Sequence, residues 1–155
     1  MVSEHHPGPA AVSMPAELLQ AMIDDARAGY PNESCGLILG DKAAADGGQA
    51  LLFVPTRNAA ASPYRYEIHP DDLYRLSVAA DEADEVFWGI VHSHTHTQAV
   101  PSPTDVGLAL YPDALYILVS LSGDESHPMT GTPSVRAWRI VEGATHEVIL
   151  EIVAA

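Results

Sequence analysis

Residues 86–105 read VFWGIVHSHTHTQAVPSPTD, and the way this stretch divides decides what is built around it. Its first nine residues are aromatic, β-branched or small, with no proline before Pro101, which predicts a strand over 86–94. Ser102-Pro103-Thr104-Asp105 then reads as a helix start: Ser102 as N-cap, Pro103 as first helical residue, Asp105 as the acidic partner of a capping box. The pattern predicts a short helix from about Pro103 to Leu110. Strand side chains two positions apart share a side, so His92 and His94 project together from the strand's C-terminal end. Sheets with helical crossovers commonly build sites there.

Working outward, Leu18, Leu19, Met22, Ile23 and Ala26 fall on one face of a helix that begins near Met14 and is closed by Gly29 and Pro31. ESCGLILG (33–40) and QALLFVPT (49–56) read as strands, joined by the turn-rich DKAAADGG. YRYEIH (64–69) alternates and is expected as a further strand, and Pro70-Asp71-Asp72 opens a second helix carrying Leu73, Leu76, Val78 and Ala80. ALYILVSL (114–121) is apolar throughout, the mark of a strand buried on both faces. SVRAWRIVEG and ATHEVILEIV read as a terminal hairpin, whose exposed edges could pair two chains in a homodimer. Three helices and six or seven strands predict an α/β or α+β domain, a mixed sheet with helices packed on it. Residues 1–12, with His5 and His6, read as a flexible arm, and 13–155 as the single folded domain.

The composition narrows the partners. Seven Lys+Arg against 21 Asp+Glu give a formal charge of −14 and a pI near 4.6, which argues against nucleic acid and anionic membranes as partners. With 47% hydrophobic residues and a mean hydropathy of +0.04, the 155-residue chain carries enough apolar material for one core. Cys35 stands alone, which excludes an internal disulfide framework, and neither a signal peptide nor a membrane span is legible. A cytoplasmic protein is expected.

Two imidazoles and one carboxylate suit Zn²⁺, whose ligand distances are ~2.0–2.2 Å. Asp105 follows His94 by eleven residues, far enough for a loop to bring it back. Three protein ligands leave a fourth tetrahedral position for water, the pattern of a catalytic zinc. Alone, Ser-Pro-Thr-Asp is more often a cap than anything catalytic. A cap also holds Asp105 in the first turn of the helix, so both readings are compatible, with one carboxylate oxygen facing the metal. His96 continues the alternation but falls in a loop, and is expected at the rim. Hydrolysis further needs a base. Glu33, Glu67, Asp81, Glu82, Asp84 and Glu85 are all candidates, and the last four read as a solvated helix end. Glu33 differs in directly preceding a buried strand, where a carboxylate is costly unless it serves something.

Glu33, then His92-Ser93-His94, seven residues, Ser102, two residues and Asp105, together with ESCGLILG around the glutamate, resemble the signature of the JAMM (MPN+) metallopeptidases. The resemblance extends from about Pro15 to Ile152. It implies a cytidine-deaminase-like α/β fold and one zinc bound by His92, His94 and Asp105. It further implies Glu33 as general base and Ser102 as hydrogen-bond donor to the tetrahedral oxyanion, in hydrolysis after the C-terminal glycine of ubiquitin-like proteins. Thr95 stands where most members carry proline, a change that bears on the loop receiving the substrate tail and touches no ligand. HSHTHTQAVPSPTDV, NESCGLILG and DALYILVSL are similar to a bacterial subgroup that removes cysteine from the C-terminal Gly-Gly of a sulfur-carrier protein in cysteine biosynthesis. That subgroup implies a ubiquitin-like sulfur carrier as substrate and partner. Two readings from other classes compete: a non-catalytic interaction module, and a thiol hydrolase with Cys35 as nucleophile.

Overall fold

The computed structural model describes residues 8–122 and 133–154. The chain runs β1 (Ala11–Pro15), α1 (Ala16–Gly29), β2 (Cys35–Gly40), β3 (Ala50–Thr56), α2 (Pro70–Glu82), β4 (Val86–His94), α3 (Pro103–Gly107), β5 (Leu115–Ser120), β6 (Ser134–Val141) and β7 (Ala144–Val153). The strands form one mixed seven-stranded sheet in the order β1-β7-β6-β5-β4-β2-β3. This is the α/β architecture expected, a mixed sheet with three α-helices among the described residues.

Both faces of the sheet are covered, so neighbouring residues of one strand belong to opposite cores. Ile38, Val91, Ile117 and Val119 pack with Met22 and Ala26 of α1. Leu37, Ile90, Tyr116 and Leu118 face the other way, with Leu76 of α2. Double-sided burial is what makes 35–40 and 115–120 read as unbroken apolar runs.

The chain departs from expectation at four places. The sheet begins at Ala11, so the last two residues assigned to the arm belong to β1, and residues 1–7, with His5 and His6, lie outside the described residues. β1 pairs in parallel with β7 and buries Val12 and Met14, an alternation too short to stand out beside the proline-rich start. In consequence the second half of β7, residues 149–153, is covered by β1, and the sheet's edge strands are β1 and β3. YRYEIH contributes a single bridge, Asn58 to Ile68, because the side chain of Asn58 takes the backbone groups flanking Tyr66 that a ladder would need. α3 ends at Gly107, short of Leu110, and the N–H groups of Leu110 and Tyr111 both donate to the Tyr116 hydroxyl, at 2.9 and 3.0 Å. No helix among the described residues is long and apolar enough to cross a membrane.

β4 positions the site. It runs antiparallel to β2, with Cys35 opposite His92, and parallel to β5, with His92 beside Leu118 and His94 beside Ser120. Its C-terminal end is therefore clamped from both sides.

Candidate active site

His92 and His94 leave β4 on the same side, as the two-residue period requires, and both are buried. The rings lie edge to face, 5.1 Å between centroids, and bring their Nε2 atoms within 3.3 Å. Asp105 closes the group from α3. Its Oδ2 lies 3.1 Å from His94 Nε2 and 3.3 Å from His92 Nε2. The capping box forms as expected: Ser102 N–H donates to Asp105 Oδ2 at 2.8 Å, and Asp105 N–H donates to Ser102 Oγ at 3.0 Å. Helix capping and convergence on the histidines thus use the same carboxylate.

The three atoms make a triangle with edges of 3.1–3.3 Å. An ion bound tetrahedrally at ~2.0–2.1 Å holds its ligand atoms about 3.3 Å apart. The triangle therefore fits a small tetrahedral metal ion, and these three residues form the cluster that could hold one. The tautomer of His94 fits as well. Its Nδ1 lies 2.7 Å from the Gln98 carbonyl, which can only accept, so Nδ1 carries the proton and Nε2 offers a lone pair. Thr97 Oγ stands 3.0 Å from the same Nδ1. His92 is held differently: its ring stacks on Tyr66 at 4.1 Å and 17°, and its buried Nδ1 has no hydrogen-bond partner among the described residues.

The electrostatics follow from burial and from crowding. Burial drives the His92 imidazolium down from its ordinary range, more strongly than Asp105 holds it up. Burial also works against the His94 cation, but the hydrogen bonds and charge of Asp105 and the Gln98 carbonyl outweigh it and move His94 up. Asp105 is buried too, yet the two histidines and the Ser102 N–H hold its carboxyl far below the usual range. A carboxylate that stays ionised against two imidazole nitrogens is suited to a cation.

Glu33 enters from β2's side. Ser34 N–H donates to Ser93 Oγ at 2.7 Å and Ser93 N–H donates to the Ser34 carbonyl at 2.9 Å, which continues the β2–β4 pairing one step beyond Cys35 and His92. The next step sets Glu33 across from His94. Its backbone is fixed on both sides, the N–H by the Ser62 carbonyl at 2.9 Å and the carbonyl by Asn58 Nδ2 at 3.0 Å. Only 6% of Glu33 is exposed, and its Oε1 has no partner among the described residues. Burial pushes its carboxyl up to about 7, with His94 pulling it down and Asp105 pushing it up.

That shift predicts a pH dependence. The folded metal-free protein binds the Glu33 proton more tightly than the unfolded chain, at about 7 against 4.5, so stability falls as pH rises between the two and the full cost applies above 7. In chelator-treated protein Glu33→Gln is expected to raise Tm at pH 8 by a few degrees, about 1–3 kcal/mol, with the gain vanishing near pH 4.5. Parallel thermal melts of the two proteins across that range provide the check.

Among the other residues singled out, His96 is exposed, with its ring 5.9 Å from that of Tyr64, and stands outside the cluster. Thr95, in the place of the usual proline, is buried, and its hydroxyl donates to the Pro63 carbonyl at 2.8 Å and accepts from His96 Nδ1 at 2.7 Å. A hydrogen bond to the facing loop replaces the stiffness of a proline ring. The Cys35 thiol is buried against Thr56 Oγ and the Arg57 carbonyl, and burial pushes it up to about 11. A thiol so protonated is no nucleophile at neutral pH, which removes the thiol-hydrolase reading.

One depression opens on the site and a second shares with it only the Tyr66 ring that stacks on His92. A cleft of about 470 Å³ is lined by His94, His96, Thr97, Gln98, Val100 and Ser102, with Ser122 at its edge. An apolar groove of about 500 Å³ runs between Leu73, Leu108, Leu110, Tyr111 and Ile68, and Tyr66, which stacks on His92, forms part of its wall. Tyr66, the Gln98 carbonyl and Asn58 have no counterpart in the sequence reading. YRYEIH showed an aromatic in an alternating stretch, but nothing in its pattern placed that ring against a histidine.

A buried His-His-Asp triangle at the end of a strand, with a buried glutamate in its field, has the make-up of a metal-hydrolase site of the JAMM type. The profile for prokaryotic homologs of the JAB domain matches residues 15–141, and the chain belongs to that family. It is 38% identical over 138 residues to the CysO-cysteine peptidase of Mycobacterium tuberculosis, covering 89% of this chain and 88% of that protein. It is 31% identical over 126 residues to a desampylase of Haloferax volcanii, covering 77% and 88% respectively. A protein of Desulfitobacterium hafniense, known from its solution structure, superposes with a TM-score of 0.77 at 25% identity over 93% of this chain and 94% of that one. The chain is thus an enzyme of the JAMM hydrolase class, which excludes the non-catalytic module.

Proposed function

We propose that the protein is a zinc peptidase that cuts after the C-terminal Gly-Gly of a ubiquitin-like sulfur-carrier protein and releases cysteine, in the cytoplasm, as a step of cysteine biosynthesis. The observation that carries this reading is the 3.1–3.3 Å triangle of His92, His94 and Asp105, matched to a tetrahedral ion and faced by Glu33. The likeness to CysO-cysteine peptidase over 89% of the chain supports the substrate class.

In this reading His92 and His94 would hold Zn²⁺ through Nε2 and Asp105 through a carboxylate oxygen. Zinc, when bound, polarises the scissile carbonyl and makes water acidic enough to react near neutral pH. Glu33 takes the proton of the attacking water as the oxygen–carbon bond forms, and gives it to the nitrogen as the carbon–nitrogen bond breaks. One carboxyl that first accepts and then returns the proton serves both directions of that transfer. Ser102 Oγ already accepts from Asp105 N–H, so its own proton is left to donate to the carbonyl oxygen as charge gathers there. The apolar groove beside Tyr66 receives the extended carrier tail, and the cleft beside His94 and Ser102 receives the departing amino acid.

The decisive assay is intact mass spectrometry of a sulfur-carrier protein bearing a C-terminal cysteine adduct, incubated with zinc-loaded enzyme with and without chelator. Loss of one cysteine residue's mass, suppressed by chelator and restored by zinc, is the expected outcome. An adduct left intact by enzyme with verified zinc content would overturn the cysteine assignment. The likeness to a desampylase favours a second reading, in which a different ubiquitin-like carrier is freed from its conjugate, and the same assay with conjugated lysine separates the two.

A further inference from the structure

We infer that Asn58 is a positioning residue, a single amide that sets the backbone of Glu33 and of Tyr66 in one frame. Asn58 lies two residues past the end of β3 and is half-buried. Its Oδ1 accepts from the N–H groups of Ala60 at 2.9 Å and Glu67 at 3.0 Å. Its Nδ2 donates to the carbonyls of Glu33 at 3.0 Å and Arg65 at 3.1 Å. A carboxamide has two N–H donors and two acceptor directions, and all four are used.

The partners are informative. The Arg65 carbonyl and the Glu67 N–H flank Tyr66, so the amide holds the backbone on either side of the ring that stacks on His92. His94 is oriented by a hydrogen bond from Nδ1 to Gln98, whereas His92 Nδ1 has no partner among the described residues, so its ring is held by the stacked Tyr66 and by Asp105 at Nε2. The bond to the Glu33 carbonyl spans 25 residues of sequence and reaches the segment just before β2 that carries the glutamate. A plain turn-forming asparagine needs only the bond from Oδ1 to the N–H two residues on, here Ala60. Neither Nδ2 bond belongs to such a turn.

The activity arm of the test rests on the proposed role of Glu33, and the metal arm does not. Asn58→Asp keeps the two accepted bonds and the turn while replacing both donated bonds with oxygen–oxygen repulsion, and Asn58→Ala removes all four. Full-length wild type and both variants are stripped and titrated with Co²⁺, with affinity and the visible d–d bands as readouts, and then loaded with zinc for kinetics on the carrier adduct. Both variants are expected to bind Co²⁺ about tenfold more weakly, the loss typical of groups that orient a ligand, with altered bands. Loaded to saturation they are expected to lose kcat by about 10–100-fold while KM stays within about twofold. Cobalt affinity and bands unchanged in a folded Asn58→Asp, with damage confined to Asn58→Ala and its Tm, would make Asn58 a turn former and overturn the inference. Should wild type itself leave the adduct intact, the functional reading falls and the cobalt titration alone decides on Asn58.

Discussion

Replacement of Glu33 by glutamine is expected to lower turnover by about 10³-fold or more while one zinc per chain stays bound. Glutamine keeps the shape and the backbone contacts to Ser62 and Asn58 but can neither take a proton from water nor return one to the leaving amine. Its effect therefore falls on kcat, with KM nearly unchanged, because the groove and the cleft are built from other residues. The pH dependence carries its own signature. Wild-type kcat/KM should fall on the acid side as the base is protonated, and the residual activity of Glu33→Gln should lack that limb. Zinc analysis and a pH–rate series on both proteins make the check. If Glu33→Gln retained wild-type turnover with zinc in place, the base would have to be another group. The same substitution raises the stability of the metal-free fold above pH 7, so one residue is expected to trade stability for activity in opposite directions.

The second large effect is expected at Asp105. Asp105→Ala removes the only carboxylate of the cluster, and with it both the charge that lifts His94 and the acceptor for Ser102 N–H. Zinc affinity is expected to drop by more than about 10²-fold, beyond what the loss of an outer-shell partner produces. The metal-free fold is expected to lose about 1 kcal/mol as well, since α3 loses half of its capping box. Asp105→Asn separates the two contributions: its amide oxygen can still accept from Ser102, so the cap survives, while the charge facing the histidines is gone. Competition titrations against a chromophoric chelator measure the first effect, and melts in excess chelator the second. An Asp105→Ala protein that held zinc as tightly as wild type would show that the triangle is not the metal site.

These expectations differ in what they needed. The pairing of His92 with His94 and the double role of the Ser102–Asp105 segment are local: one follows from the two-residue period of a strand, the other from a cap written in four consecutive residues. Both were legible in 86–105 before any fold was known. The buried strands were legible for a similar reason, since a strand covered on both faces needs an apolar residue at nearly every position. β1 was not, because five residues with two inward side chains carry too little pattern, and only their partner β7 makes them a strand.

The sequence by itself therefore determined the residues of the candidate metal cluster and the cap that holds Asp105, because both are encoded in spacing along one segment, and the family once the distant ESCGLILG was read beside it. Tertiary structure alone decided the rest. Glu33 comes within electrostatic reach of His94 because antiparallel register places Cys35 opposite His92, across 57 residues of chain. Tyr66 meets His92 because Asn58 folds an irregular loop over the end of β4, and Thr95 ties down the same loop through Pro63. Register and loop packing are contacts between segments, and their free energy comes from groups that no single segment contains.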